Sequence, residues 1–448
     1  MTASPLLHAS SHKGYPAWAP ALPVTAVGKQ GWHLLQPDWP LPCAVLRQSG
    51  VQHNLGWMQK LVAQAGVELA PHGKTTLSPE LFRAQLDAGA WGITVATVGQ
   101  LALATEAGAT RAVVANQVVL AHDLAWLCQL LDQHPGLQAP FLIDSWAQLQ
   151  ALERFAAQHP HPTNGFEVLL ELGLSCGRTG CRSADDALAL ARAVRASPVA
   201  RLVGLECYEG LWAKGDTPTD TTLVAQLMQR VHDLARQCNA EDLFQGTEVL
   251  LTAGGSAVFD LVAPALRVAD GQPLTLSRPV RGLLRSGCYL THDHGFYKRL
   301  GALADQRLAL HGLNGHPWGC GNGLQAALEV WAVVQSCPEP GLAILNAGKR
   351  DLSFDMGLPT PVAWCAAGFT DASQVQPAPA SWAVTALNDQ HTYLALGPND
   401  TVTGTHSLQV GDRVALGISH PCTTFDKWRW MPLVNDQLQV VDAITTRF

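Results

Sequence analysis

A lysine that ends a short apolar run, two places after a histidine, is the residue in this chain best suited to covalent chemistry. In ELAPHGKTT, residues 68–76, Pro71 and Gly73 rule out a helix, so the run reads as a strand that stops in a loop. Lys74 then stands at the strand's C-terminal mouth, with His72 beside it. In proteins of alternating strands and helices that mouth is where reactions occur. A lysine held there out of water can lose its proton or form an imine with a carbonyl. Taken alone, the same residue reads as an ordinary solvated lysine.

Other stretches offer partners for it. In TAGGS, Thr252 to Ser256, adjacent Gly254 and Gly255 let backbone N–H groups approach an anion, and Ser256 adds a hydroxyl where a helix begins. A plain tight turn would use the same residues, but the loops after the seventh and eighth strands of a parallel barrel are the usual phosphate site. A phosphate site and an imine-forming lysine on one barrel mouth suggest pyridoxal 5′-phosphate, which bears both a phosphate and an aldehyde. In LGLSCGRTGC, residues 172–181, Arg178 can hydrogen-bond an anionic cofactor oxygen. In CYEG, Tyr208 can lie against the cofactor ring, carry a proton, or simply fill core space. LRSGCYL offers Arg285 and the amides of Gly287 and Cys288. An arginine facing the pyridine nitrogen leaves the ring a weaker electron sink, so electrophilic help is needed elsewhere. GISHPCTTFDKW, residues 417–428, can give it. On an extended strand His420 and Cys422 leave the same face and can hold a borderline-soft divalent metal, zinc above all because of the thiolate.

The elements that must position these groups follow from pattern. From about residue 66, β-rich runs at 68–73, 92–98, 112–118, 141–145, 167–173, 202–208 and 248–254 alternate with amphipathic stretches such as 79–90, 122–134 and 221–238. That is an α/β fold, one strand short of a (β/α)8 TIM-type barrel, and AVLRQ (44–48) and LLRSGCYL (283–290) compete for the last place. Beyond about residue 290 short β-rich runs with little helical periodicity indicate a smaller antiparallel β domain, and residues 21–48 share that texture, so both chain ends contribute. The expected organisation is an N-terminal extension over 1–40, a segment at 41–65 leading from the β domain into the barrel, the barrel at 66–290 and a β domain carrying the metal pair at 291–448. The extension is expected to be partly disordered or packed against a neighbour.

With 47% hydrophobic and 15% charged residues the chain can bury a large interior. A net charge of −7 with interspersed signs gives neither a basic stripe for nucleic acid nor a polybasic membrane anchor. Small molecules and copies of the chain itself are the expected partners. Eleven cysteines without a regular framework, no run of spanning length and no signal-peptide core point to reduced thiols in the cytoplasm.

Taken together and in order, PHGKTT, GAWGITVAT, GRTG, CYEG, TAGGS, RSGCY, NAGKRDLSFD and SHPCTTFDKW carry a resemblance from about residue 41 onward. The chain resembles the fold-type III pyridoxal-phosphate enzymes of the D-serine dehydratase and D-threonine aldolase group, including amino acid deaminase-type members, and is distantly similar to alanine racemase. The resemblance implies an alanine racemase-like barrel whose first strand carries the lysine and whose eighth is the RSGCY segment, so that AVLRQ joins the β domain. It further implies that Lys74 bonds the cofactor, Arg178 contacts its phenolic oxygen and Tyr208 lies beside it. Gly254, Gly255, Ser256 and the amides of Gly287 and Cys288 gather at the phosphate, His72 and Thr252 are also expected to be cofactor-binding, Arg285 faces the pyridine nitrogen, and His420 with Cys422 binds zinc, or else manganese or magnesium. Where many members read Lys-Thr-His-Lys, this chain has Lys74, Thr75, Thr76 and Leu77, and Asn346 replaces the common aspartate. The implied activity is dehydration of a D-β-hydroxy amino acid to a 2-oxo acid and ammonia in a homodimer. Retro-aldol cleavage to glycine and an aldehyde is the alternative, and a non-catalytic cofactor-binding protein a remote one. The His-x-Cys pair favours the dehydratase, because the aldolase members usually carry His-x-Asp.

Overall fold

Eight parallel strands make one curled sheet: Glu68–Leu69, Ile93–Val95, Ala112–Gln117, Phe141–Ile143, Phe166–Leu172, Ala200–Cys207, Val249–Ala253 and Val280–Leu284. The first pairs with the eighth, and a bridge between His72 and Thr94 closes the ring to the second. The computed structural model describes residues 6–210, 212–269, 271–313, 315–319, 323–397 and 408–448. The first strand is short for a physical reason: Pro71 has no N–H, and the chain turns there, its carbonyl accepting the Thr94 N–H at 2.9 Å. Alternate residues along a strand point to opposite faces. Val113, Leu142, Leu169, Val203, Leu250 and Leu283 therefore form their own apolar cluster inside the ring, while Val168, Leu170 and Leu202 belong to the larger core under the helices. The crossover helices start where sequence says they should. Ser78, Thr97, Ser145, Ser183 and Asp216 each accept a backbone N–H from the residue three places on.

Two expectations need correction. The eighth strand ends at Leu284, so Arg285 to Cys288 form the turn beyond it rather than the strand itself. The region after residue 290 opens with a helix, Phe296–His311, not with β structure. Leu300, Ala304 and Leu308 recur every fourth place and are buried on one helix face, so this segment continues the βα period of the barrel.

The second sheet has ten strands, nearly all antiparallel. Its central strand, Leu328–Glu339, pairs with Arg413–Gly417 on one side and with Cys43–Arg47 on the other. Cys43–Arg47 also pairs in parallel with Trp430–Val434, so the strand nearest the N-terminus is enclosed between two from the C-terminal part. Much of the segment 6–40 packs onto the chain's own β domain. Tyr15, Trp32, Leu34, Leu35 and Trp39 bury themselves against Trp331, Trp430 and Val440 of this sheet as a second core. No helix among the described residues is long and apolar enough to cross a membrane, and the described cysteines are all unbridged.

Candidate functional site

The C-terminal ends of the barrel strands and one loop of the β domain enclose a cavity of about 440 Å³. His72, Lys74, Arg178, Tyr208, Gly254, Gly255, Ser256, Arg285, Gly287, Cys288, His420 and Cys422 all line it. Thr252 does not. It lies within the seventh strand and its hydroxyl donates to Leu283 O at 3.1 Å, which makes it a barrel contact rather than a cofactor contact.

Lys74 occupies a single turn, Gly73–Thr75, directly after the first strand. Its side chain opens into the cavity, whose walls still strip it of enough water to lower its pKa; nearby Arg178 adds to that, while Cys422 and Cys288 oppose it. His72 is held neutral, well below its usual pKa, first by burial and then by Lys74. The guanidinium of Arg178 lies 5.2 Å from the Tyr208 ring, and burial pushes the Tyr208 hydroxyl up to about 12. Tyr208 therefore stays protonated and can donate at neutral pH.

The phosphate end differs from expectation. Gly254 has φ +98°, a left-handed conformation that favours glycine, and this turns its N–H and that of Gly255 toward Glu209. The Glu209 carboxylate accepts them at 3.1 and 2.7 Å, so these two amides are already engaged. A carboxylate 1% exposed requires such donors, which is why the turn serves Glu209 first. The Cys288 N–H is likewise engaged, donating to Ser256 Oγ at 3.1 Å. The hydroxyl proton of Ser256 and the Gly287 N–H are left for an anion. A Cβ at Gly255 would stand 2.9 Å from the Tyr208 ring, so glycine is what lets ring and loop share this wall.

Arg285 is 5% exposed and forms an ion pair with Glu206, itself 2% exposed. It also donates to Cys207 O at 3.1 Å. Burial opposes its charge, yet Glu206 prevails and Arg285 stays cationic, while burial lifts Glu206 to about 7 against the arginine's pull. Arg285 Nη1 and His72 Nδ1 are buried without partners among the described residues. Unpartnered donors, a glycine-lined wall and a desolvated lysine in one cavity fit pyridoxal phosphate.

His420 and Cys422 do share the cavity, but not on an extended strand. His420 lies in a loop and Cys422 opens the short helix Cys422–Phe425. Asp355 Oδ2 meets His420 Nδ1 at 2.7 Å and Thr423 donates to the other carboxylate oxygen at 2.6 Å, which leaves Nε2 free for a metal. Cys422 Sγ lies 3.4 Å from Thr75 Oγ1. The pair therefore fits a divalent ion with positions left over.

Sequence reasoning passed over Glu206, Glu209, Asp355 and Tyr297. Glu206 interrupts an apolar barrel run, a signal of buried charge, whereas Glu209 stands two places past that strand's end with no such signal. Asp355 belongs to NAGKRDLSFD, and Tyr297 comes from the helix taken for β structure.

Two family models match the chain: "Alanine racemase, N-terminal domain" over residues 47–264 and "Putative serine dehydratase domain" over residues 327–434. The chain is 28% identical over 321 residues to D-threo-3-hydroxyaspartate dehydratase of Delftia sp. (strain HT23), spanning 70% of this chain and 73% of that one. It is 27% identical over 414 residues to D-threonine aldolase of Arthrobacter sp., spanning 90% and 92%. The crystal structure of D-threonine aldolase from Filomicrobium marinum matches with a TM-score of 0.69 at 22% identity, over 92% of this chain and 95% of that one. Barrel, β domain and lysine cavity define the class of pyridoxal-phosphate lyases with an alanine racemase-like fold. Within it, the chain carries an alanine racemase-type barrel domain and a serine dehydratase-type domain, and over most of its length it is similar to a D-threo-3-hydroxyaspartate dehydratase and a D-threonine aldolase.

Proposed function

We propose that the protein is a pyridoxal-phosphate- and metal-dependent dehydratase that converts a D-β-hydroxy amino acid, such as D-serine or D-threonine, into a 2-oxo acid and ammonia. The observation that carries this reading is the lining of one cavity by Lys74, His420 and Cys422. Water leaves across the Cα–Cβ bond and water re-enters when ammonia is released, so no oxidant or reductant is needed.

When bound, pyridoxal phosphate supplies an aldehyde for the substrate amine and a conjugated ring that takes up charge as the Cα proton leaves. Lys74 Nζ, its pKa lowered chiefly by burial, holds that proton. The Tyr208 hydroxyl donates to bound oxygen, and Arg178, over the same ring, holds an anionic one. Arg285, kept cationic by Glu206, would face the ring nitrogen with a guanidinium and would disfavour its protonation. Ser256 and the Gly287 N–H would hold the phosphate. Zinc on His420 Nε2 and Cys422 Sγ would supply Lewis acidity at the β-hydroxyl, which suits loss of hydroxide where the ring is a weak sink.

Retro-aldol cleavage to glycine and an aldehyde is the second reading, favoured by the similarity to D-threonine aldolase over nearly the whole chain. Unbridged thiols fit a reducing cytoplasm, and exposed Phe354, Met356 and Leu358 beside Asp355 fit a homodimer contact near the site. The test is a product assay on protein loaded with cofactor and zinc, given D- and L-serine and D- and L-threonine. Oxo acid and ammonia from the D forms alone are expected. Glycine and acetaldehyde from D-threonine would replace the dehydratase with the aldolase.

A further inference from the structure

The thiols of Cys288 and Cys422 meet in the cavity wall, Sγ to Sγ 3.7 Å. Thr75 Oγ1 reaches both, 3.8 Å from Cys288 Sγ and 3.4 Å from Cys422 Sγ. Cys288 comes from the turn after the last barrel strand and Cys422 from the β domain, so the contact joins the two halves of the protein at the site. Two thiolates on one tetrahedral zinc, each about 2.3 Å from the ion, lie about 3.8 Å apart. The observed spacing is already that of two sulfurs sharing an ion. His420, with Nδ1 tied to Asp355, lines the same cavity.

Resting on the metal-dependent reading above, we propose that Cys288 is a third protein ligand, so that the metal sits in a Cys2His set of Cys288, Cys422 and His420 with one position open to the substrate hydroxyl. Three protein ligands and one open position are what catalytic zinc sites use. Among the described residues no group of three His, Cys, Asp or Glu side chains is placed to hold a metal ion as it stands, so the set forms only if His420 moves toward the two sulfurs. The sulfur pair is the preformed part, and His420 completes the set when the ion enters. Two S–H bonds then give way to two metal–sulfur bonds, and two protons pass to solvent. A second thiolate makes the site softer, selecting zinc over manganese or magnesium. It also ties metal loading to the phosphate end, because the Cys288 N–H is bonded to Ser256.

X-ray absorption at the zinc edge decides the matter, on full-length protein carrying cofactor and zinc in a phosphine reductant, with C288S and C422S beside the wild type. Two sulfurs in the wild type and one in each variant are expected, with C288S binding zinc at least about tenfold more weakly. One sulfur in the wild type, an unchanged count in C288S, or a Cys288–Cys422 disulfide found by mass in the reduced protein overturns the proposal. The first two of these results leave the His420–Cys422 reading intact. A wild type that takes up no zinc overturns that reading and this one with it. Circular dichroism shows whether C288S is folded; if it is not, the wild-type sulfur count decides alone.

Discussion

Glu209 accepts both N–H groups of the Gly254–Gly255 turn, so a buried carboxylate occupies the place where a phosphate was expected to bind. The loop is thereby shaped before any ligand arrives. Glu209→Ala strands the buried Gly254 N–H, at about 1–3 kcal/mol, and the partly buried Gly255 N–H at less. Thermal unfolding of the cofactor-free protein should show the loss, and the cofactor should dialyse away faster. Glu209→Gln keeps one acceptor oxygen and should lie between. Unchanged stability in the alanine variant would mean that water replaces the carboxylate at no cost.

Arg285 and Glu206 are each nearly inaccessible, and each is the other's charge partner. Removing one alone leaves the other buried and unpaired, at about 3–5 kcal/mol. Arg285→Leu should therefore destabilise severely, and adding Glu206→Leu should recover much of the loss. A double-mutant cycle in urea measures the coupling; additive effects would show that the pair is not linked.

Lys74→Ala should lower turnover by about 10²- to 10⁴-fold, the usual worth of a positioned acid–base group. Added methylamine should restore part of it. Full activity in the variant would remove Lys74 from the reaction.

Asp355 fixes the His420 ring through a 2.7 Å contact. Asp355→Ala should weaken zinc binding about 10- to 100-fold in competition with a chromophoric chelator, while thermal stability moves little. Equal affinity would show that the ring is held by other means.

His292 and His294 follow the phosphate turn, and burial pushes the pKa of both down to about 4. An imidazole in the unfolded chain titrates near 6.5. Between those values the unfolded chain binds protons that the folded one refuses, so stability falls as pH drops from about 6.5 to about 4, by up to about 3 kcal/mol per histidine. Below about 4 this contribution stops changing. Urea midpoints across that range test it, and His292→Gln should flatten the curve.

The barrel was legible because each strand is a β-rich run followed by an amphipathic one, and a parallel barrel sends every such strand's end to one mouth. That rule alone brings Lys74, Arg178, Tyr208 and Arg285 around one cavity; what each does there is the proposal above. Thr252 misleads because its neighbours belong to the loop while it belongs to the strand. Glu209 was hidden because its donors lie 45 and 46 places further along the chain, and no local pattern encodes that pairing. The helix Phe296–His311 was missed because its apolar positions are outnumbered by the β-rich segments that follow.

The enclosure of Cys43–Arg47 between Leu328–Glu339 and Trp430–Val434 sets an order of assembly during translation. This strand leaves the ribosome early and must wait for the rest of the chain before either edge is covered. The barrel, with all eight strands before residue 285, can close meanwhile, so the wall carrying Lys74 and Cys288 can form before the loop of His420 and Cys422 is made. A nascent chain stopped short of Trp430 keeps an apolar edge open, a natural target for chaperones and a site of mispairing between unfinished copies.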